Sequence, residues 1–561
     1  MKHSLLPALP IPLLILFAAA TTAQTPTKLL DSRDVISGYG LPQDFNDVVI
    51  NDSGEWLLLV QTDNPDAEAD EVLLRSGFVT LAEGDFVGQP FEATIDEFKS
   101  LTIDDAGNIA WELALLDPNT QTGTNDGLYW NTRLIALSGD PLLTSGYGPA
   151  ATFFRFNGFV RYNNANQILI AHEVDDSSIP GIFDQSLLLL SLDDQQNIVS
   201  SIDVAHELGT VPMLGYQIPQ DGMTINKKTI FDLNDAGETL WQTKCIDSNG
   251  VTRDAIFCGD ELVAIEGGAA PIQDFNWLDL ANVRADLNDR GEFVHEGDIN
   301  ANVANSQGVI VKNNETLVVR ERQAPAAVAP VLVDGFSSGT PIRISNGGDV
   351  FYRANLTGSV TFDASFFVND ELLVRKGITT IDGLIVSEFV DSDDALTISP
   401  DGRYFVFRAD LEDGRTGLYV MDLGAVLPLD DCGGNPGTLT RVEGFPLVGN
   451  TVTLGMDDGQ GFGATPLLLL SYGTHPLYDG CGIPTPAGEL VIDFSSVSPF
   501  LGLIGSPWGG PPVPLDVPIA NDLALVGAKV YAQGFFLDLG NQLPGPAIQG
   551  TNAVEIQIGA P

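Results

Sequence analysis

One short pattern recurs seven times along the chain and constrains its fold more than any other feature. Each copy reads apolar, then Asn, Asp or Ser, then two further residues, a Gly, a polar residue and an apolar run. The copies are INDSGEW (50–56), IDDAGNI (103–109), YNNANQI (162–168), LNDAGET (233–239), LNDRGEF (287–293), ISNGGDV (344–350) and ISPDGRY (398–404). The third copy has Asn where the others have Gly, and these two residues tolerate a positive φ best. The pattern therefore predicts seven tight turns, at Gly54, Gly107, Asn166, Gly237, Gly291, Gly348 and Gly402.

Each predicted turn lies within a set of strand-like segments. A short apolar stretch such as TTIFDL precedes the turn, and alternating runs such as NIAWELAL and RYFVFRAD follow it. A third run such as GLYVMD and, in most units, a fourth such as RLIALSGD come next. Four antiparallel strands repeated seven times predict an all-β fold, a seven-bladed β-propeller. A solenoid is the alternative, but its repeats are usually shorter and its end caps differ.

The two ends of the repeat region complement each other. The seventh unit has only a weak fourth strand, GAVLPLDD, whereas KLLDSRDVISG (28–38) resembles the fourth-strand text of the second unit. We predict that this N-terminal segment completes the last blade. Such closure would hide the strand edges that an open sheet leaves for aggregation.

Two stretches resemble known families. ISPDGRYFVFRADLEDGRTGLYVMDL (398–423) is similar to the WD40-like repeat of TolB-type propellers. Units with an NDxGE turn and a GLY…LIALSGD stretch resemble a repeat of large secreted bacterial propeller proteins, of the planctomycete type. The resemblance covers residues 28–429 and implies a propeller fold and export. It supplies no catalytic residues.

The character of the sequence changes after Asp430, where the turn pattern stops and Gly and Pro become more frequent. Short strand-like runs, including NTVTLGM and KVYAQGFFLDL, predict a β-sandwich. Residues 432–559 resemble a C-terminal module of planctomycete exported proteins, which implies a role in surface display or attachment. The predicted division is a signal peptide over 1–23, the propeller over 24–429 and a C-terminal β-sandwich domain over 430–561.

The N-terminus and the charge bear on location and partners. Lys2 and His3 precede the apolar run LLPALPIPLLILFAAA and the small residues before Gln24, which predicts a secretory signal peptide. No later stretch has the roughly 20 apolar residues of a membrane-spanning helix. The formal net charge is −49, which repels nucleic acid and anionic lipid. The mature protein is expected to be secreted, periplasmic or associated with the cell surface.

Four cysteines in an exported chain suggest two disulfides. Cys245 and Cys258 flank a segment with an Asn-Gly turn signal, so we expect them to face each other across a hairpin. Cys432 and Cys481 both lie in the C-terminal region and are expected to pair there. Clustered metal-ligand or catalytic partners of these cysteines are not evident in the sequence.

Several patterns resemble catalytic or metal sites but fit architecture better. LNDAGETLW (233–241) resembles the Asp box of some glycoside-cleaving propellers, yet its Thr and Trp have the wrong spacing, and that box is itself a turn. GFSSG (335–339) matches a nucleophile elbow by letters, but a strand follows it and not a helix. The mature histidines, His172, His206, His295 and His475, are isolated from one another. No catalytic residue and no cofactor-binding residue is therefore predicted.

Calcium binding is left open. The acidic loops DNPDAEADE (63–71) and DSDDA (391–395) could supply oxygen ligands, although neither has the spacing of an EF-hand loop. A solvated loop is the interpretation that we favour, so no metal ligand is assigned.

The sequence as a whole favours a non-catalytic binding or cell-surface structural protein that uses a propeller as its scaffold. Its partner would be an extracellular protein or glycan. The alternative is an extracellular hydrolase or lyase that acts on polysaccharide. Fold alone does not decide between these uses. Convergence of His, Arg, Tyr and carboxylates over the central channel would favour the enzyme, and scattered small and apolar residues would favour binding.

Overall fold

A computed structural model describes residues 25–66, 69–88, 93–116, 124–142, 147, 151–175, 183–211, 215–220, 222–223, 231–281, 283–301, 307–336, 339–361, 363–392, 394–429, 432–457, 464–493, 501–538 and 548–561. Within these ranges the chain is all-β, with two short 3₁₀ helices, Ala326–Val328 and Leu523–Leu525. The predicted signal peptide over 1–23 lies outside the described residues. The described part of the chain has no helix that is long and apolar enough to cross a membrane.

The strands from residue 27 to residue 422 form seven sheets in the described part of the chain. The first strand, β1 (Thr27–Asp31), belongs to the seventh sheet. The first sheet contains β2 (Pro42–Ile50), β3 (Trp56–Thr62), β4 (Glu71–Arg75) and β5 (Phe78–Ala82). The second contains β6 (Phe86–Gly88), β7 (Ala93–Ile103), β8 (Ile109–Leu116), β9 (Thr124–Trp130) and β10 (Arg133–Leu137). The third contains β11 (Thr152–Tyr162), β12 (Gln167–Asp175), β13 (Phe183–Leu192) and β14 (Ile198–His206).

The remaining four sheets of this region follow the same order. The fourth contains β15 (Phe231–Leu233), β16 (Thr239–Ile246), β17 (Thr252–Cys258) and β18 (Glu261–Ile265). The fifth contains β19 (Trp277–Asp279), β20 (Ala285–Leu287), β21 (Phe293–Ile299), β22 (Gly308–Lys312) and β23 (Thr316–Arg320). The sixth contains β24 (Val333–Phe336), β25 (Arg343–Ile344), β26 (Val350–Leu356), β27 (Ala364–Val368) and β28 (Glu371–Arg375). The seventh contains β1 with β29 (Thr380–Ile381), β30 (Leu384–Phe389), β31 (Leu396–Ile398), β32 (Tyr404–Leu411) and β33 (Thr416–Asp422).

The seven predicted turn positions all have positive φ, from 59° at Asn166 to 83° at Gly348. The first polar residue of each copy explains why the turn forms there. Its side-chain oxygen accepts a hydrogen bond from a backbone N–H at the far side of the turn, as Asn234 does from Glu238 N at 2.8 Å. Asn, Asp and Ser all supply such an oxygen, which is why these three residues alternate at this position.

Apolar clusters join each of the seven sheets to the next one along the chain. The last of these clusters includes Leu30, Val48 and Val406, so it joins the seventh sheet to the first. The strand β1 pairs antiparallel with β33, with Thr27 opposite Val420 and Asp31 opposite Gly417. The N-terminal strand thus supplies the outer strand of the seventh sheet.

The C-terminal region forms two main sheets around a second core. Its strands are β34 (Ala425–Pro428), β35 (Thr438–Glu443), β36 (Thr451–Asp457), β37 (Thr465–Ser471), β38 (Ile483–Thr485), β39 (Gly488–Leu490), β40 (Leu501–Ile504), β41 (Val513–Pro518), β42 (Lys529–Leu537) and β43 (Ile548–Gln557). One sheet has the order β34-β43-β42-β37-β40, and the other has the order β35-β36-β41. Side chains from both sheets, such as Leu454 and Phe536, share one apolar cluster. The sequence interpretation of GAVLPLDD is corrected here, because β34 pairs with β43 and not with the seventh sheet.

The predicted bond between Cys245 and Cys258 is wrong. The hairpin turn forms as expected, but its register places Cys245 opposite Arg253, and Cys258 opposite Leu240. Five residues along a strand separate the two thiols by roughly 17 Å, far beyond the reach of a disulfide. Burial raises the pKa of both thiols to about 11, which keeps them protonated and poorly reactive. Cys432 and Cys481 do form a disulfide, with their Cα atoms 5.3 Å apart.

Candidate functional site at the hub of the sheets

The seven sheets converge on one cavity, here called the hub cavity, with a volume of about 200 Å³. Its walls come from the first turn-flanking strand of each sheet, namely β2, β7, β11, β15, β20, β25 and β31, and from the turns that follow them. The lining includes eight Asp and two Arg side chains, which makes it strongly polar. Ligand cavities for drug-sized molecules usually have roughly 300–1,000 Å³, so this one suits water or an ion rather than an oligosaccharide.

A closed circle of hydrogen bonds, here called the turn ring, surrounds one end of this cavity. The second polar residue of each turn accepts, through its side-chain oxygen, a bond from the backbone N–H of the preceding turn. The N–H donors and side-chain Oδ1 acceptors are Asp52 to Asp105 at 3.2 Å, Asp105 to Asn164 at 3.0 Å, Asn164 to Asp235 at 2.7 Å, Asp235 to Asp289 at 2.9 Å, Asp289 to Asn346 at 2.9 Å and Asp401 to Asp52 at 2.7 Å.

The seventh turn is the exception that the sequence explains. Pro400 stands at the second polar position, so it has neither a side-chain acceptor nor a backbone N–H. Its carbonyl oxygen accepts from Asn346 N at 2.7 Å, and the donor role passes to the N–H of Asp401. The circle therefore still closes, from the last turn back to the first.

The first polar position adds a second set of bonds between neighbouring turns. Where it is Asn, its amide nitrogen donates to the carbonyl oxygen of the next turn. The pairs are Asn51 to Asp104 at 3.0 Å, Asn163 to Asn234 at 2.7 Å, Asn234 to Asn288 at 3.2 Å and Asn288 to Ser345 at 2.8 Å. Asp and Ser can close their own turn but cannot make this amide donation. The frequent Asn at this position therefore joins units as well as shaping turns.

Deeper in the cavity, two arginines and two aspartates form a row in the order Arg161, Asp232, Asp286 and Arg343. Arg161 Nε lies 3.2 Å from Asp232, and Arg343 Nη1 lies 3.3 Å from Asp286. The remaining carboxylate oxygens accept backbone bonds from the next unit, Asp232 from Leu287 N at 3.0 Å and Asp286 from Ile344 N at 2.7 Å. Both oxygens of each carboxylate are thus engaged within the protein.

Burial and mutual repulsion raise the pKa values of several hub carboxyls. Burial, together with repulsion by the neighbouring Asp401 and Asp105, raises the pKa of Asp52 to about 9. The pKa of Asp286 lies well above its usual range, chiefly because of burial, although Arg343 opposes the shift. Burial also raises the pKa of Asp289. At neutral pH part of this acidic ring is therefore protonated and carries less charge than its composition implies.

The residues of LNDAGETLW (233–241) have structural roles in this arrangement. Asp235 accepts from the N–H and the amide of Asn164, at 2.7 and 2.8 Å, as a member of the turn ring. Glu238 accepts from the amide of Asn234 at 2.8 Å. Trp241 is buried, stacks on Phe257 with ring centroids 4.5 Å apart, and donates to the carbonyl oxygen of Gly259, in the turn after β17. These residues connect units and do not form a pair of free carboxylates.

The other sequence candidates lie away from the hub. No described histidine lines the cavity. Burial lowers the pKa of His172 and of His295 to about 4, so both rings are neutral. His206 Nδ1 lies 2.6 Å from Asp203, in the third sheet. In GFSSG, residues 337–338 lie outside the described residues, and the chain continues into the strand β25.

One carboxylate of each acidic loop accepts a backbone hydrogen bond, and Asp394 of the second loop lines the hub cavity. Asp63 accepts from Leu41 N at 2.7 Å, and Asp391 accepts from Gly339 N at 3.0 Å. Across the described ranges, no three His, Cys, Asp or Glu side chains converge as a group of metal ligands. Residues 67, 68 and 393 lie outside those ranges. The preference for solvated loops over a calcium site stays a prediction, and a melting comparison with calcium and with chelator tests it.

Sequence reasoning missed the charged array of the hub. Arg161, Asp232, Asp286 and Arg343 occupy the same place, two residues before the first turn residue, in four successive units. Aligning the copies two residues further upstream would have shown charged residues in four successive units, with opposite charges in the third and fourth units and in the fifth and sixth. Their contact depends on the convergence of strands more than fifty residues apart, which the pattern of one unit does not reveal.

No protein-family model matches the chain, and no curated protein matches it. Among solved structures, it is similar to a protein of unknown function from Dyadobacter fermentans (TM-score 0.28, 11% identity, 70% of this chain and 98% of that one). It is also similar to an α-L-arabinanase from Penicillium chrysogenum in complex with arabinobiose (TM-score 0.25, 10% identity, 72% and 98%). A third is BamB from Moraxella catarrhalis (TM-score 0.23, 11% identity, 70% and 99%). At these scores and identities the likenesses carry no argument about function.

Proposed function

We propose that this chain is an exported, non-catalytic binding protein whose seven sheets are the blades of one propeller ring. The pairing of β1 with β33, the cluster that joins the seventh sheet to the first, and the closed turn ring support the ring. The C-terminal sandwich, from Ala425 onward, is a second unit attached to it. A rigid ring of this kind presents its loops at fixed positions for a partner.

The observation that carries this proposal is that the charged side chains of the hub cavity form ion pairs with one another. A glycoside hydrolase needs one carboxyl group to give up a proton and a second one open to water or substrate. Asp232 and Asp286 are each held by an arginine and by a backbone N–H. Their arrangement satisfies the protein and leaves neither carboxylate open to a substrate.

The size of the hub cavity supports a partner that binds outside it. A cavity of about 200 Å³ does not admit a sugar chain, so recognition belongs to the outer loops and faces. A net charge of −49 repels nucleic acid and polyanionic glycans. The partner is therefore an extracellular protein or a glycan without strong negative charge.

A polysaccharide-active hydrolase or lyase is the second candidate, and one observation favours it. Eight Asp and two Arg side chains meet at the hub, which is the convergence of charge expected at an active site on this fold. The variants Asp232→Asn and Asp286→Asn separate the two proposals. The scaffold proposal expects no polysaccharide cleavage by the wild-type protein, together with a lower melting temperature for both variants.

The decisive measurement is product release from a panel of neutral and acidic polysaccharides, followed by pull-down of proteins and glycans with the mature chain. Turnover that disappears in Asp232→Asn while that variant stays folded would establish the enzyme and overturn the scaffold. The export step has its own test. The N-terminus of the protein recovered outside the cytoplasm should begin at Gln24, and retention of residues 1–23 would contradict it.

A further inference from the structure

A second cavity lies at one end of the C-terminal sandwich, away from the hub. Its volume is about 300 Å³, within the lower range of ligand sites. Strands β37, β42 and β43 form one wall, and β41 forms the other. The lining is mostly aliphatic and includes Leu470, Val517, Ile519, Val530, Ile556 and Ile558.

The segment 519–528, here called the arch, holds this cavity open. It crosses from β41 to β42 and is bonded to the sandwich at both ends. Ile519 N donates to Asn450 O at 2.8 Å, and Gly527 N donates to Ile558 O at 2.7 Å. In between, Asp522 caps a short 3₁₀ helix by accepting from Ala524 N at 3.0 Å. Both ends of the arch are therefore fixed to the sandwich by backbone hydrogen bonds, and the cavity is present without a bound molecule.

Such a cavity suits hydrocarbon better than water. Protein interiors pack as densely as organic crystals, and even an apolar cavity of roughly 150 Å³ stays dry and binds benzene. A buried water needs two to four polar partners. The hydroxyl of Ser471, one of the few polar groups of the lining, lies 3.0 Å from both Gly473 O and Asp493 O, so its one proton has an acceptor outside the cavity.

The rim of the cavity selects against a negatively charged end group. Around the opening, Tyr472 and Leu523 are 64% and 67% exposed. The neighbouring cation, Lys529, lies 2.6 Å from Glu555 and is neutralised by it. A carboxylate or phosphate at the rim would meet this paired lysine and the acidic charge of the whole chain.

We propose that the C-terminal sandwich binds one hydrocarbon chain that carries an uncharged group at its exposed end. The chain comes either from a free medium-chain molecule or from a neutral membrane lipid. The exposed apolar side chains of the rim would contact the part of the molecule that stays outside. This site is independent of the propeller scaffold, so its failure would leave the proposed function of the ring untouched.

The test uses the full mature chain and the uncharged fluorescent probe N-phenyl-1-naphthylamine. We expect saturable binding of one probe per chain, with displacement by 1-decanol at concentrations at least about tenfold lower than by decanoate. Hydrogen–deuterium exchange of the wild-type protein should show protection by 1-decanol within residues 517–530 and 556–558. Co-sedimentation with neutral phosphatidylcholine vesicles would identify a membrane lipid as the source, and its absence alongside 1-decanol binding would identify a free molecule.

Two cavity-filling variants locate the site. Ala528→Phe and Ala520→Phe place a ring in the cavity and should weaken probe binding at least about tenfold. Leu477→Ser is the matched control, because Leu477 is 70% exposed and does not line the cavity, and it should bind as the wild type does. The proposal fails if the wild type shows no saturable binding, if exchange protection falls outside the sandwich, or if a folded filling variant binds normally. The exchange measurement needs no variant and decides the outcome even if both substitutions unfold the protein.

Discussion

At the scale of single residues, the seven turns show how one side chain can serve two purposes. Asn234 shapes its own turn through its oxygen and joins the next unit through its nitrogen. The sequence predicted the turns, since Gly and Asn at fixed spacing signal positive φ directly. It did not predict the bonds between turns, because the same letters are sufficient for an isolated turn.

We expect Asn234→Asp to lower the free energy of unfolding by about 2 kcal/mol. The change keeps the turn acceptor, but it removes the donor to Asn288 O and places a carboxylate beside Glu238 in a buried position. Chemical denaturation measures the loss. The reverse change in the second unit, Asp104→Asn, is the control and should leave stability unchanged or higher. Equal midpoints for Asn234→Asp and the wild type would contradict the inter-turn bond.

The hydrogen bond from Asp401 N to Asp52, which joins the last turn to the first, predicts that the free energy of unfolding depends on pH. The folded pKa of Asp52 is about 9 and that of an unfolded aspartate is about 4, so the folded state holds a proton that unfolding releases. This group therefore stabilises the protein least at high pH, and its contribution falls as pH rises from about 4 to about 9. Asp52→Asn keeps the acceptor for Asp401 N without titrating. Between pH 5 and pH 8, the free energy of unfolding should fall less in Asp52→Asn than in the wild type. An equal fall in both proteins would contradict the raised pKa of Asp52.

At the scale of elements, the residues of a segment predict that it forms a strand. They do not always predict which strand it pairs with. The fourfold strand order within each unit followed from alternating apolar runs. The predicted disulfide between Cys245 and Cys258 was wrong because of the strand register. A turn signal locates a hairpin, but a shift of a few residues changes every pair of opposite residues. The interpretation of GAVLPLDD as a fourth strand of the seventh unit was wrong for another reason. Its partner, β43, lies more than a hundred residues further along the chain.

The strand β1 is expected to stabilise the whole ring. Deletion of residues 24–40 should lower the melting temperature by roughly 10 °C or more, since it exposes the edge of β33 and part of the apolar cluster between the seventh and first sheets. A milder pair of variants separates packing from chain length. Leu30→Ala, at a buried position, should destabilise by about 2 kcal/mol, and Val35→Ala, at a 75% exposed position, should have little effect. Unchanged melting after the deletion would refute closure by this strand.

At the scale of the whole molecule, one arginine links the sandwich to the ring. Arg441 of β35 is 2.7 Å from Asp349 and 2.8 Å from Glu371, and its guanidinium lies 4.6 Å from the ring of Phe445. Asp349 directly follows the turn glycine of the sixth unit. The sandwich therefore contacts the sixth sheet both beside its turn, at Asp349, and at its outer strand β28, at Glu371. A sequence can mark where two units meet along the chain, but this contact depends on surfaces that only the fold creates.

Arg441→Ala should uncouple the two units. It leaves two partly buried carboxylates without their cation, which costs about 3 kcal/mol at a buried pair. We expect calorimetry to resolve two melting transitions where the wild type melts in one, and limited proteolysis to cut between the units. Arg33→Ala, which removes an exposed ion pair with Asp413, is the control and should leave both readouts unchanged. A single unshifted transition in Arg441→Ala would show that other contacts suffice.

The place of β1 in the seventh sheet also sets the order in which the chain can acquire its structure. Asp31 finds its partner Gly417 only after nearly the whole repeat region has been synthesised. Until then β1 has no edge to join, while the intervening sheets can form from local hairpins. Contacts this distant along the chain slow folding, because their loop entropy is lost before they contribute. The pairing of β1 with β33 is therefore expected to come late in folding, and until it forms the edge of β33 is open to aggregation.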